Sequence, residues 1–118
     1  MIWVAMGLAG IIGALHVYIL VMEMLLWETP RVRRVFGTTA EFASNSKVLA
    51  ANQGLYNGFL AAGLFWGLWQ GETGRDVLAF FFICVVVAGI YGAVTVSRRI
   101  FFVQALPAIL ALVAMALG

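Results

Sequence analysis

Residues 15–27 read LHVYILVMEMLLW, an apolar run interrupted by one histidine, His16, and one carboxylate, Glu23. As a helix this run sets the two ionisable side chains on one face, two turns and roughly 10 Å apart along the axis. Upstream, residues 2–14 continue the run without a charge, giving more than the about 20 apolar residues that cross a bilayer. An ionisable side chain costs roughly 2.5–3.5 kcal/mol inside a membrane and turns toward a protein interior or a wet cavity. The pair therefore predicts a buried polar site within a membrane helix.

Composition agrees. Of 118 residues, 64% are hydrophobic and 10% charged, and the mean hydropathy is +1.06, whereas soluble domains carry about a quarter charged residues. The net charge of +2 is too thinly spread for the basic stripe that phosphate backbones need, so no nucleic-acid partner is expected. The lone Cys84 lies in an apolar run, forms no intramolecular disulfide and reads as a small buried side chain. Met1-Ile2-Trp3-Val4 lacks a basic leader, so the first span is expected to persist in the mature chain.

Counting apolar runs predicts one domain over residues 1–118: an all-α membrane protein with four transmembrane helices in an up-down bundle. The spans fall at about 2–27, 48–69, 77–97 and 100–117. Pro30 ends the first. Residues 28–47 form a polar loop or an interfacial helix, whose Arg31, Arg33, Arg34 and Lys47 would meet anionic headgroups. Thr38 with Glu41 has capping-box spacing, and Ser44-Asn45-Ser46 offers a cap for the second span. Pro107 withholds a backbone donor from the carbonyl of Val103.

Arg31, Arg33, Arg34, Lys47, Arg98 and Arg99 fall in loops on one side, and Arg75 lies alone on the other. The positive-inside rule puts both basic loops in the cytoplasm and both termini outside. Glu23, Asn52, Gln53, Tyr56, Asn57, Tyr91 and Gln104 then occupy the cytoplasmic half, with His16 near the midplane. Helical spacing groups Ala9, Gly13, His16, Leu20, Glu23 and Trp27 in one stripe. Gln53, Tyr56, Asn57 and Leu60 form a second, and Ala88, Tyr91 or Gly92, Thr95, and Arg98 or Arg99 a third. Inward-facing stripes would enclose a polar pocket open to the cytoplasm.

Each candidate has two readings. Glu23 is a proton carrier or the partner of a cationic ligand, or else an ion pair with Arg98, Arg99 or Arg34 that pins helices. His16 is a proton relay, or a histidine bonded across helices. Asn52, Gln53, Asn57 and Gln104 orient a ligand, or bond among themselves. Gly54 with Gly58, and Gly63 with Gly67, are small-xxx-small pairs that admit a close helix or a homodimer. No metal-ligand spacing and no cofactor fingerprint is present, so neither a metal nor a cofactor is expected.

LHVYILVMEMLLWETPRVRRVFG (15–37), KVLAANQGLYNGFLAAGL (47–64) and VAGIYGAVTVSRRIFFVQALPA (87–108) together resemble the small bacterial integral membrane proteins catalogued as domain of unknown function thirteen-hundred-and-four. The resemblance covers almost the whole chain. It implies a four-helix inner-membrane protein and no particular activity.

Three functions stay open. One is binding or transport of a small amphipathic molecule or lipid, proton-coupled at Glu23. Another is a membrane enzyme, isomerase or hydrolase, using His16 and Glu23 as acid and base. The last is a structural subunit of a membrane complex.

Overall fold

The computed structural model describes residues 1–118. It is all-helical, with five α-helices: α1 (Ile2–Met24), α2 (Pro30–Phe36), α3 (Ala40–Trp69), α4 (Arg75–Thr95) and α5 (Leu106–Leu117). A 3-10 turn, Gly71–Gly74, leads into α4, and a π-helical turn, Phe101–Ala105, leads into α5. Two stretches, Ile2–Met24 and Gly71–Thr95, are long and apolar enough to cross a membrane; Phe101–Leu117 is apolar but shorter. The chain forms two compact units, residues 1–14 with 60–118, and residues 15–59.

In the first unit one core joins four helical segments. Ala5, Ala9 and Ile12 come from α1, Leu64 from α3, Leu78, Phe82 and Val85 from α4, and Ala108, Ala111, Ala114 and Met115 from α5. Their three-and-four spacing marks one face of each helix. Small residues set the approach, because a helix without side chains at the contact lets its neighbour's backbone or ring lie close. Gly13 faces the ring of Phe65, Gly63 that of Phe81, and Gly67 the side chain of Leu78. On α4 the buried row is Leu78, Phe82, Val85 and Gly89, while Ala88, Tyr91 and Thr95 are exposed. The expected third stripe is thus rotated away from the contact.

Pro107 shapes the entry to α5. With no N–H to donate and a ring that crowds the carbonyl four residues back, proline disfavours a regular α-turn before it. The chain widens instead: the N–H of Leu106 donates to the carbonyl of Phe101, five residues back, a π-bulge. This turn sets Ala105 against Gly89, where a Cβ would come within 2.7 Å of the Ala105 nitrogen. Between α4 and α5 the N–H groups of Val96 and Ser97 both donate to the carbonyl of Gly92. The guanidinium of Arg75, at the start of α4, donates to the carbonyl of Met115 near the end of α5.

The second unit contains the later part of α1, then α2, then the first two-thirds of α3. After Met24 the helix loosens, and the N–H of Leu26 reaches back five residues to Val21. Thr29 caps α2, its hydroxyl accepting from the N–H of Val32 at 3.4 Å, with Pro30 in the first turn, where its missing donor is harmless. Gly37 ends α2 in the left-handed region, φ 70°, which glycine adopts without penalty.

The cap of α3 is Thr39, whose hydroxyl accepts from the N–H of Phe42 at 3.1 Å. The expectation of Thr38 is corrected by one residue, for a physical reason: the N–H of Thr38 donates to the carbonyl of Arg33 and so closes the end of α2. Ser44, Asn45 and Ser46, expected to cap the second span, lie inside α3. Most of residues 28–47 is therefore helical. In this unit α1 and α3 touch where α3 has glycine: Gly54 faces the carbonyl of Leu20 and the side chains of Glu23 and Met24, and Gly58 faces Leu20.

Candidate functional site

Glu23 sits in the last turn of α1. Because Gly54 presents no side chain there, α3 comes near enough for Asn57, a turn further on, to reach the carboxylate: its Nδ2 donates to Glu23 Oε1 at 2.8 Å. The same amide also donates to the carbonyl of Gln53 at 3.1 Å, fixing its orientation. An amide hydrogen bond to a half-buried carboxylate is the kind of pairing that a polar group removed from water requires.

Beyond Glu23 the chain has left the helix, and Trp27 is anchored on both sides. Its Nε1 donates to Ser46 Oγ at 3.1 Å, and its ring packs against Phe36 with centroids 5.0 Å apart. The hydroxyl of Ser46 in turn donates to the carbonyl of Phe42 at 2.6 Å. Nearby, Lys47 and Glu28 form the one ion pair, at 3.9 Å, with both side chains more than half exposed. A pair so long and so wet contributes little stability. Glu23, Trp27, Glu28, Lys47, Val48 and Ala51 help to line an open cleft of about 350 Å³. Two carboxylates, one ammonium and an immobilised indole therefore border a single concavity, with aliphatic walls from Val48 and Ala51. Charge of both signs, an aromatic face and aliphatic surface thus lie side by side, and an indole face attracts cations.

His16, two turns before Glu23 on α1, is fully buried, with 0% of its surface exposed. It is not among the cleft residues. Asn52, Gln53 and Tyr56 are exposed, and Tyr56 meets Phe59 edge to face. The buried face of α3 is Ala50, Gly54, Asn57, Ala61 and Leu64, which shares Asn57 with the expected stripe of Gln53, Tyr56, Asn57 and Leu60 and leaves Gln53 and Tyr56 outside. Tyr91 and Gln104 belong to the other unit; Tyr91 is 71% exposed, and Gln104 is half-buried in the π turn. Arg98 and Arg99 are exposed beyond the end of α4. The partner of Glu23 is an amide and not a guanidinium. Gly54, Gly58, Gly63 and Gly67 all abut side chains of this same chain. No group of three or more His, Cys, Asp or Glu side chains is placed to hold a metal ion.

Sequence reading did not assign Glu28, Ser46 and Lys47 to the site. For Lys47 the signal was the helical row Lys47, Ala50, Gly54 and Asn57, visible only once α3 begins at Ala40; Glu28 and Ser46 carried none.

These features define an all-helical protein with two helices fit to cross a membrane and a carboxylate-amide pair beside an open cleft. The chain belongs to the family described as "Protein of unknown function (DUF1304)", whose model matches residues 10–116. It is 30% identical over 98 residues to the uncharacterized protein YpaA of Lactococcus lactis subsp. lactis, an alignment covering 81% of this chain and 82% of that one. No solved structure matches it. The resemblance read from residues 15–37, 47–64 and 87–108 thus holds at the level of the family.

Proposed function

We infer that this protein is a multi-pass component of a bacterial inner membrane that binds or transports a small amphipathic molecule at the Glu23 cleft. Its four spans run up and down as an antiparallel bundle with both termini outside. Support for the bilayer comes from the outward surface, where Trp3, Trp69 and Val94 are each at least 78% exposed; so much apolar surface is unfavourable in water and suited to lipid. The six basic residues Arg31, Arg33, Arg34, Lys47, Arg98 and Arg99 orient the cleft toward the cytoplasm by the positive-inside rule.

The observation that carries the functional reading is the Glu23–Asn57 bond at the edge of an open cleft that also holds Trp27. A carboxylate held by a single neutral amide, with no cation paired to it, is positioned to exchange that balance for a cationic guest or a proton. The enzyme reading needs His16 as the second catalytic group, and the burial of His16 away from the cleft lining gives it less support.

The test uses the purified chain in proteoliposomes with the lipophilic cation tetraphenylphosphonium as probe. Saturable binding by the wild type, weakened by about ten-fold in Glu23→Gln, is the expected result. A pH-sensitive dye in the lumen then reads proton movement driven by the probe, which Glu23→Gln abolishes. Equal binding and equal proton movement in the two proteins would exclude this role for Glu23.

A further inference from the structure

Although only seven residues long, α2 is two-faced. Val32 is buried on one side and Phe36 stacks on Trp27, while Pro30, Arg33, Arg34 and Gly37 share the opposite face at three-and-four spacing. With Thr38 these four residues line an open groove. Among these residues two polar atoms, Arg33 Nε and Thr38 Oγ1, are buried and have no hydrogen-bond partner. The lone ion pair of the protein involves neither Arg33 nor Arg34, and no carboxylate lines the groove. A guanidinium offers only donors, and a hydroxyl can add another, so what the groove lacks is an acceptor carrying negative charge.

We propose that this groove binds a phosphate group, held by Arg33 and Arg34 through charge-assisted hydrogen bonds and by the hydroxyl of Thr38. Guanidinium forks match the oxygen geometry of phosphate, which an ammonium does not reproduce. The C-terminal end of a helix ordinarily disfavours an anion. Here the carbonyl of Arg33 already accepts from the N–H groups of Gly37 and Thr38, and the two arginines of the last turn offset what remains of the dipole.

The phosphate has two sources, the headgroup of an anionic phospholipid or the free ion. Exposed Leu25, Val35 and Phe42 in the same unit suit a segment lying in a headgroup layer. The lipid source rests on the inner-membrane reading above, whereas the free-ion source does not.

The experiment uses the full chain in a neutral maltoside detergent, mixed with equal amounts of phosphatidylglycerol and phosphatidylcholine, with retained lipid counted by native mass spectrometry. Wild type should retain phosphatidylglycerol in preference by about ten-fold, and Arg33→Gln with Arg34→Gln should abolish that preference. Thr38→Val, which changes no charge, should reduce it several-fold. Arg33→Lys keeps the charge and loses the fork, and should weaken the preference in a chain that stays monodisperse. Arg31→Gln, exposed and outside the groove, should leave it unchanged. In a parallel arm inorganic phosphate is titrated by calorimetry. Preference for phosphatidylglycerol that survives millimolar phosphate assigns the groove to lipid, and saturable phosphate binding without a lipid preference assigns it to the free ion; either upholds a phosphate site. An equal loss in Arg31→Gln, or silence of both Thr38→Val and Arg33→Lys, overturns the proposal, because diffuse charge would then account for the attraction. Carbonate extraction of native membranes tests the bilayer reading separately.

Discussion

Asn57 reaches the carboxylate of Glu23, 2.8 Å from Nδ2 to Oε1, because Gly54, three residues earlier on α3, leaves α1 and α3 without a side chain between them. The bond and the glycine belong together: a close helix contact shortens the path that a short amide side chain must span.

Glu23 and Asn57 should therefore be energetically coupled. A double-mutant cycle of Glu23→Ala and Asn57→Ala, read by reversible denaturation in mixed micelles, should give an interaction of about 0.5–2 kcal/mol. Strict additivity of the two changes would mean that the bond contributes nothing to the folded state.

Glycines that face backbone should tolerate a methyl group less well than glycines that face a flexible side chain. At Gly89 a Cβ meets the backbone nitrogen of Ala105, whereas at Gly58 it meets the end of the Leu20 side chain, which can rotate away. Gly89→Ala should destabilise by about 1–3 kcal/mol, and Gly58→Ala by clearly less. The reverse ranking in a thermal melt would contradict this packing.

The start of α3 can be checked with two threonines. Thr39→Ala removes the hydroxyl that accepts from Phe42 and should cost about 1 kcal/mol, while Thr38→Ala should be nearly neutral. If Thr38 proves the costlier position, the helix begins one residue earlier than described.

Ser46→Ala should release the indole of Trp27, whose Nε1 donates to it. A chain retaining Trp27 as its only tryptophan should show altered emission and faster acrylamide quenching on this substitution. The expected stability loss is about 1 kcal/mol. Ser44→Ala, exposed on α3, should leave both readouts unchanged and serves as the control.

Much of the fold is legible in residue order. Long uncharged runs announce α1 and α4, Pro30 marks the break after the first of them, and Pro107 foretells an irregular turn, while the helix between Pro30 and Gly37 was left open between a loop and an interfacial helix. The stripe Ala9, Gly13, His16, Leu20 and Glu23 could be read from spacing along α1 because its polar members are few, but its expected last member, Trp27, lies past the end of the helix at Met24. On α3 the expected stripe of Gln53, Tyr56, Asn57 and Leu60 meets the contact at Asn57, while Gln53 and Tyr56 are exposed and Gly54 makes the close approach. Along α3 apolar residues occur on every side, so periodicity marks no single inward face. Thr38 and Thr39 were equally ambiguous, since both precede a helical run and only the end of α2 determines which is free to cap.

The residue order by itself determined that this chain is helical, where its backbone can bend, and that a carboxylate and a histidine share one face of the first helix. Tertiary structure alone decided that Asn57, out of several nearby amides, pairs with Glu23, and that Trp27, Glu28 and Lys47 border the cleft beside it. The reason lies in approach distance. A helix pair packs closest where side chains are absent, and which glycine meets which neighbour depends on the rotation of both helices, a property that neither sequence carries alone.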